Sequence, residues 1–145
     1  MKVSRRFQLA VHTILFIAAN SDEKNLTCEY ISKEIKCNPV VIKNLLNILY
    51  KNNFLIKSST VSGIKLKKSA KDITLWDIYK ITDEINIKDI FSDDNLQITN
   101  PIVADLSELL TTDFEQIIQF MKETLSKVSI ETLLTKHSQK DKISN

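Results

Sequence analysis

The sequence predicts a mainly α-helical protein with one small β-hairpin. Three observations carry that expectation. Glycine and proline are scarce, one Gly and two Pro in 145 residues, so the chain has few places for tight turns. Both prolines follow an asparagine, at Asn38-Pro39 and Asn100-Pro101. That order puts a capping side chain just before a first helical residue whose missing N–H costs nothing. The single glycine, Gly63, lies between two short runs rich in apolar and β-branched residues, FLIK and IKLKK.

Each element can be justified in turn. Ser4 can cap a first helix running to about Asn20, with Phe7, Val11, Ile14, Leu15 and Ala18 at helical spacing. After a polar loop to Leu26, Thr27 opens the short helix TCEYISKEI, whose apolar stripe is Tyr30, Ile31 and Ile35. Two turns of helix need a partner to survive. It follows at once: Asn38 caps, Pro39 starts, and Ile42, Leu45, Leu46 and Leu49 fall on one face. The other face carries Val40, Lys43, Asn44, Asn47 and Lys51. A short helix, a tight turn and a second helix with a basic-amide outer face is the helix-turn-helix arrangement. The hairpin behind it carries Lys57, Lys65, Lys67 and Lys68, and its position makes it a wing. Gly63 is expected to supply the positive φ of its turn. Thr74 then caps TLWDIYKI, with Asp77 completing a capping box and Trp76 expected in the core.

The expected architecture is therefore a winged helix-turn-helix domain over residues 1–84 and an acidic, irregular linker over 85–99. A long helix and C-terminal segment follow over 100–136, and then a frayed polar tail over 137–145. The long helix should run to about Lys127. Leu106, Leu110, Phe114, Ile117, Met121 and Leu125 form its apolar stripe, widened by Ile102, Leu109, Ile118 and Phe120. One small domain cannot cover so much apolar surface, and pairing with the same helix of a second copy can.

Charge points to the partner of the first half. Residues 1–72 hold thirteen Lys and Arg against five Asp and Glu, a net +8. Residues 73–145 hold seven against thirteen, a net −6. A basic half attracts a phosphate backbone. Val40, Lys43, Asn44 and Asn47 are expected in the major groove, with Asn38 and Pro39 at the entering end. Asn can pair with adenine and Lys with guanine. Arg5, Arg6, Thr27, Lys57, Lys65 and Lys67 are expected to contact phosphates, which position without specifying sequence.

Other chemistry is weakly represented. No apolar run reaches the roughly 18 residues of a membrane span, and no signal-peptide cleavage site is visible, so a cytoplasmic protein is expected. One glycine cannot build a phosphate loop. His12 and His137 form no metal set, and nothing suggests an enzyme. Cys28 and Cys37, the only cysteines, are separated by a helix of roughly 12–14 Å. That is beyond the roughly 7 Å a disulfide tolerates. Both sit near helix N-termini, where a thiol can be activated. Inert small side chains and a redox sensor centred on Cys37 both stay open. Two other functions also stay open: a winged-helix module that binds an acidic protein, and a regulator holding a small ligand between its domain and its long helix.

Four stretches, SRRFQLAVHTILFIAA, the helix-turn-helix over Thr27–Leu55, the wing and AKDITLWDIYKI, together resemble the Rrf2 family of bacterial regulators. That group includes the IscR, NsrR and CymR types. SKVSIETLL is similar to the family's C-terminal segment, and NPVVIKNLL to its YwnA-like branch. The resemblance implies a homodimer with crossed long helices, a pseudo-palindromic double-stranded DNA site and, most often, repression. Many members bind an iron–sulfur cluster through three cysteines ahead of the long helix. Residues 85–99 contain none, and Asn100 stands where some cluster-free members keep one cysteine. The expectation is a regulator with no cofactor. The wing is also poorer in glycine than the family's.

Overall fold

The computed structural model describes residues 4–23, 25–57, 63–83 and 98–143. Three helices come first: α1 (Arg5–Ala19), α2 (Cys28–Ile35) and α3 (Pro39–Lys51). Strands β1 (Leu55–Lys57) and β2 (Ile64–Leu66) follow, then a single 3-10 turn at Ala70–Asp72. Helices α4 (Leu75–Thr82), α5 (Pro101–Ser126) and α6 (Ile130–Ile143) complete the chain. The mostly helical architecture with a two-stranded antiparallel sheet is the winged helix-turn-helix expected.

Local chemistry sets the boundaries. The Ser4 hydroxyl accepts from Phe7 N at 3.1 Å, and the Thr27 hydroxyl from Tyr30 N at 3.2 Å. The Asn38 amide oxygen accepts from Val40 N at 2.8 Å, with Pro39 in the first helical position. Each cap satisfies a backbone donor that a helix start leaves without a partner. Lys36 closes α2 in the left-handed region, φ 55° and ψ 47°. There Cys37 N can donate to Ser32 O at 3.0 Å, and the chain reverses into α3 within three residues.

The core lies between these helices. Ala10, Ile14 and Ile17 of α1, Ile31 of α2 and Ile42, Leu45, Leu46 and Leu49 of α3 are buried together. Leu55 and Ile64 of the hairpin, Ile73 and Ile78 close it. Burying one such side chain is worth roughly 1.5–3 kcal/mol, so this packing holds the short α2 in place. The hairpin pairs Leu55 with Leu66, Ile56 with Lys65 and Lys57 with Ile64. Ile64 N donates to Leu26 O at 2.9 Å, which ties the hairpin to the segment ahead of α2.

The chain returns to the domain at its C-terminal end. α5 spans 26 residues, roughly 39 Å, and lies alongside α4. Beyond it Leu75 N donates to Val128 O, and Ile130 N to Ile73 O, both at 2.9 Å. Ile130 is fully buried in the core, and Ser129 Oγ accepts from Thr132 N at 3.1 Å to start α6.

Three details differ from the sequence expectation. Residues 137–143 continue α6 rather than forming a frayed tail, with His137 Nδ1 3.3 Å from Asp141 Oδ2. Gly63 does not take a positive φ; among the described residues that conformation falls on Lys36 and Asn53. The turn residues 58–62 lie outside the described residues, as do 84–97 of the expected linker. Trp76 is half-buried rather than core. Its ring stacks on Tyr79 at 5.6 Å, and Ile78 and Tyr79 take the buried places.

The start of α4 is a complete capping box. Thr74 Oγ1 accepts from Asp77 N at 3.2 Å, and Asp77 Oδ2 accepts from Thr74 N at 3.0 Å and from its hydroxyl at 2.7 Å. Partial burial pushes the Asp77 carboxyl up, but the Thr74 hydrogen bonds and nearby Lys80 outweigh it and hold the group below the usual carboxylate range. A depressed folded-state pKa stabilises above the unfolded value, and the benefit is lost as pH falls through the folded one. Asp77→Asn should therefore cost about 1 kcal/mol in neutral urea denaturation. The gap between the two proteins should close as acid titrates the wild-type carboxyl; a gap independent of pH would contradict this account.

Candidate nucleic-acid interface

The burial of one face of α3 dictates what the other presents. With Ile42, Leu45, Leu46 and Leu49 in the core, Asn38, Pro39, Val40, Lys43, Asn44, Asn47 and Lys51 are all exposed. The helix start is the end that carries Pro39 and Val40.

A depression flanks this ridge on each side. One, about 270 Å³, lies between α1 and α3 and is lined by Arg5, Arg6, Leu9, Val41, Asn44, Leu45 and Ile48. The other, about 410 Å³, lies between α2, α3 and the hairpin. It brings Thr27, Cys28, Lys43, Asn47 and Lys57 together with the more buried Leu26, Leu46, Tyr50 and Ile64, and with Gly63. The first turn of α1 therefore sets two guanidinium groups beside Asn44, and the hairpin sets Lys57 beside Lys43. No acidic side chain lines either depression. A cationic surface around an exposed helix is the arrangement a duplex requires, with amides and a Lys toward base edges and flanking cations toward phosphates.

Not every expected phosphate-binding residue falls there. Lys65 is exposed on β2 opposite Ile56. Lys67 sits at the foot of the hairpin, where its Nζ donates to Asn53 Oδ1 at 2.6 Å. Asn53 follows the C-cap Asn52 of α3, so Lys67 lies near the end of α3 opposite its N-terminus. Lys67 and Lys65 line neither depression. Sequence reasoning missed Val41 and Tyr50. Val41 is 46% exposed at the edge of the ridge, a position that the helical spacing of the buried residues could have disclosed. The Tyr50 hydroxyl is buried with no hydrogen-bond partner among the described residues. Burial pushes its pKa up, and the neighbouring Cys28 adds to the effect.

Both cysteines are free and partly buried. Cys28 begins α2, and its Sγ donates to Pro39 O at 3.7 Å, linking the starts of α2 and α3. Cys37 lies in the turn just before Asn38. Among the described residues no group of three or more His, Cys, Asp or Glu could hold a metal ion, and no helix is long and apolar enough to cross a membrane. The apolar stripe of α5 divides. Leu106, Leu110 and Ile117 are exposed, together with Ile102, Leu109 and Phe120. Phe114, Met121 and Leu125 are half-buried with Ile118 on an adjoining face.

The Rrf2 family model, described as an iron-dependent transcriptional regulator, matches residues 3–136. The chain belongs to the Rrf2 family. A Bacillus subtilis (strain 168) relative described as the HTH-type transcriptional regulator YwnA is 26% identical over 133 residues, covering 91% of this chain and 96% of the relative. A crystal structure described as a transcriptional regulator from Lactobacillus plantarum is 26% identical with a TM-score of 0.73, over 97% of this chain and 98% of that one. The structure of CymR from B. subtilis shares the fold at 17% identity and TM-score 0.66, over 93% and 97% of the two chains. This Rrf2 chain is thus a DNA-binding transcriptional regulator and not an enzyme.

Arg5 and Arg6 are exposed at the start of α1, and replacing either leaves the core intact. Arg5→Ala and Arg6→Ala should each weaken binding to all duplexes alike. Each should lower the slope of log K against log salt by about 1 for every phosphate no longer neutralised. Titrations of one duplex at several salt concentrations measure this, and an unchanged slope would place both arginines away from the DNA.

Proposed function

We propose that this Rrf2 protein is a homodimeric, sequence-specific repressor that occupies a pseudo-palindromic site in the cytoplasm. The observation that carries the reading is the exposed ridge of α3 between two depressions, one carrying Arg5 and Arg6 and the other Lys43 and Lys57. The dimer rests on α5, whose exposed face carries Ile102, Leu106, Leu109, Leu110, Ile117 and Phe120 at 48–69% exposure. Exposed apolar side chains repeated along one helix face mark an interface, and a two-fold pair of identical helices buries them on both copies at once. Two winged domains held that way read two half-sites related by the same two-fold axis.

The reading assigns no iron–sulfur cluster, despite the family's description as iron-dependent. Iron–sulfur clusters are held mainly by cysteine thiolates, and the family resemblance implies three of them ahead of the long helix. This chain has two cysteines, both in the helix-turn-helix. The donor set does not fit the group. A thiol signal is the alternative that the geometry favours. Cys37 adjoins the cap of α3, and Cys28 is bonded to the first carbonyl of that helix. A peroxide that oxidises the Cys37 thiol to a sulfenic acid, and is itself reduced to water, would displace the cap and with it the reading helix.

Selection of genomic fragments with the purified protein tests the main reading. Retained fragments should share a two-fold symmetric site with half-site centres about 34 Å apart, or a multiple of it. Failure to retain any fragment against competitor DNA would favour a protein-binding module instead. Leu106→Asp with Ile117→Asp changes exposed side chains only, so the domain should still fold. It should sediment as a monomer and bind the site on the order of a hundredfold more weakly; a stable dimer would refute the assignment of this face. For the thiol, wild type should release its site under oxidant while Cys37→Ser holds it. Equal release by both would remove Cys37 as a sensor.

A further inference from the structure

The outer ridge of α3 has a composition that narrows which DNA it fits. Val40 and Val41, at the second and third helical positions, are 64% and 46% exposed. Each offers two methyl groups and no polar atom. Asn44 and Asn47 offer amides on the next two turns, and Lys43 is the one cation before them. Pro39–Lys51 contains neither an arginine nor an acidic residue.

Each of these features matches one base-edge chemistry of the major groove. Arginine is the commonest reader of guanine, and Asp or Glu accepts from the cytosine amino group. Neither type is available on α3. Asparagine pairs with adenine N6 and N7, and apolar side chains meet the C5-methyl of thymine. Val40 lines neither depression, and Val41 is only partly covered by the wall of the one it shares with Arg5, Arg6 and Leu9. β-Branched residues are below-average helix formers, and exposed ones contribute little burial. The part of each side chain left open, larger for Val40 than for Val41, is covered when something docks on the N-terminal end of α3.

We infer that Val40 and Val41 read thymine methyl groups, and that the half-site is A·T-rich where the start of α3 enters the groove. Asn44 and Asn47 take adenines adjoining those thymines, and Lys43 tolerates at most one guanine among them. The inference rests on α3 being the recognition helix, as proposed above, and adds the class of sequence it selects.

The test uses the full chain and duplexes enriched from random-sequence DNA by repeated binding. The enriched duplex is resynthesised with deoxyuridine for thymidine, which deletes the C5-methyl and leaves base pairing unchanged. The expected half-sites are A·T-rich. Uracil should weaken wild-type binding about fourfold per contacted methyl, from roughly 0.8 kcal/mol per buried carbon group. The Val40→Ala, Val41→Ala double variant should bind thymine and uracil duplexes alike. Both positions are exposed, and an unchanged melting temperature would show that the variant is folded. G·C-rich half-sites would overturn the inference while leaving sequence-specific binding in place. So would wild-type indifference to uracil, or a double variant still fully sensitive to it. Failure to enrich any sequence would overturn the inference and the proposed function together.

Discussion

Burial of one face of α3 is the constraint on which the rest depends. Ile42, Leu45, Leu46 and Leu49 enter a core shared with α1, α2 and the hairpin. Helical geometry then leaves no choice about the opposite face, which must carry Val40, Asn44, Asn47 and Lys51 outward. The same core fixes what stands beside that ridge. α1 packs by Ala10, Ile14 and Ile17, which brings its first turn, with Arg5 and Arg6, next to Asn44. The hairpin packs by Leu55 and Ile64, which brings Lys57 next to Lys43. The cations are arranged by apolar residues that are themselves almost wholly buried.

Features decided within one or two turns of chain were legible in the sequence. Ser4, Thr27, Asn38, Thr74 and Asn100 all cap the helices expected of them, because a cap needs only its own side chain and the next three N–H groups. The buried face of α3 was legible for the same reason. Features decided by packing were not. α6 is polar and weakly patterned, and it stands because Ile130 and two backbone hydrogen bonds fasten its start to residues 73–75. Trp76 looked like core, yet Ile78 and Tyr79 occupy the space. The α5 stripe reads as one face in the sequence. Its half-buried and exposed parts separate only where the helix lies alongside α4.

Site residues follow the same division. That Lys43, Asn44 and Asn47 share a face is helix periodicity and needs no structure. That Thr27 and Lys57 meet Lys43 across a single depression is tertiary, since they come from three elements. Lys67 shows the limit from the other side. Its place in a basic hairpin matched that of Lys57, yet its bond to Asn53 anchors it at the hairpin's foot.

The fastening of residues 128–130 to residues 73–75 has a mechanical consequence. α5 is held at its C-terminal end by backbone hydrogen bonds as short as those of a sheet. It therefore moves with α4, and α4 packs on the helix that carries Arg5 and Arg6. A tilt of α5 is passed to the reading head without a flexible joint at that end. In the proposed dimer, the angle at which two such helices cross becomes the gauge that sets how far apart the two heads stand.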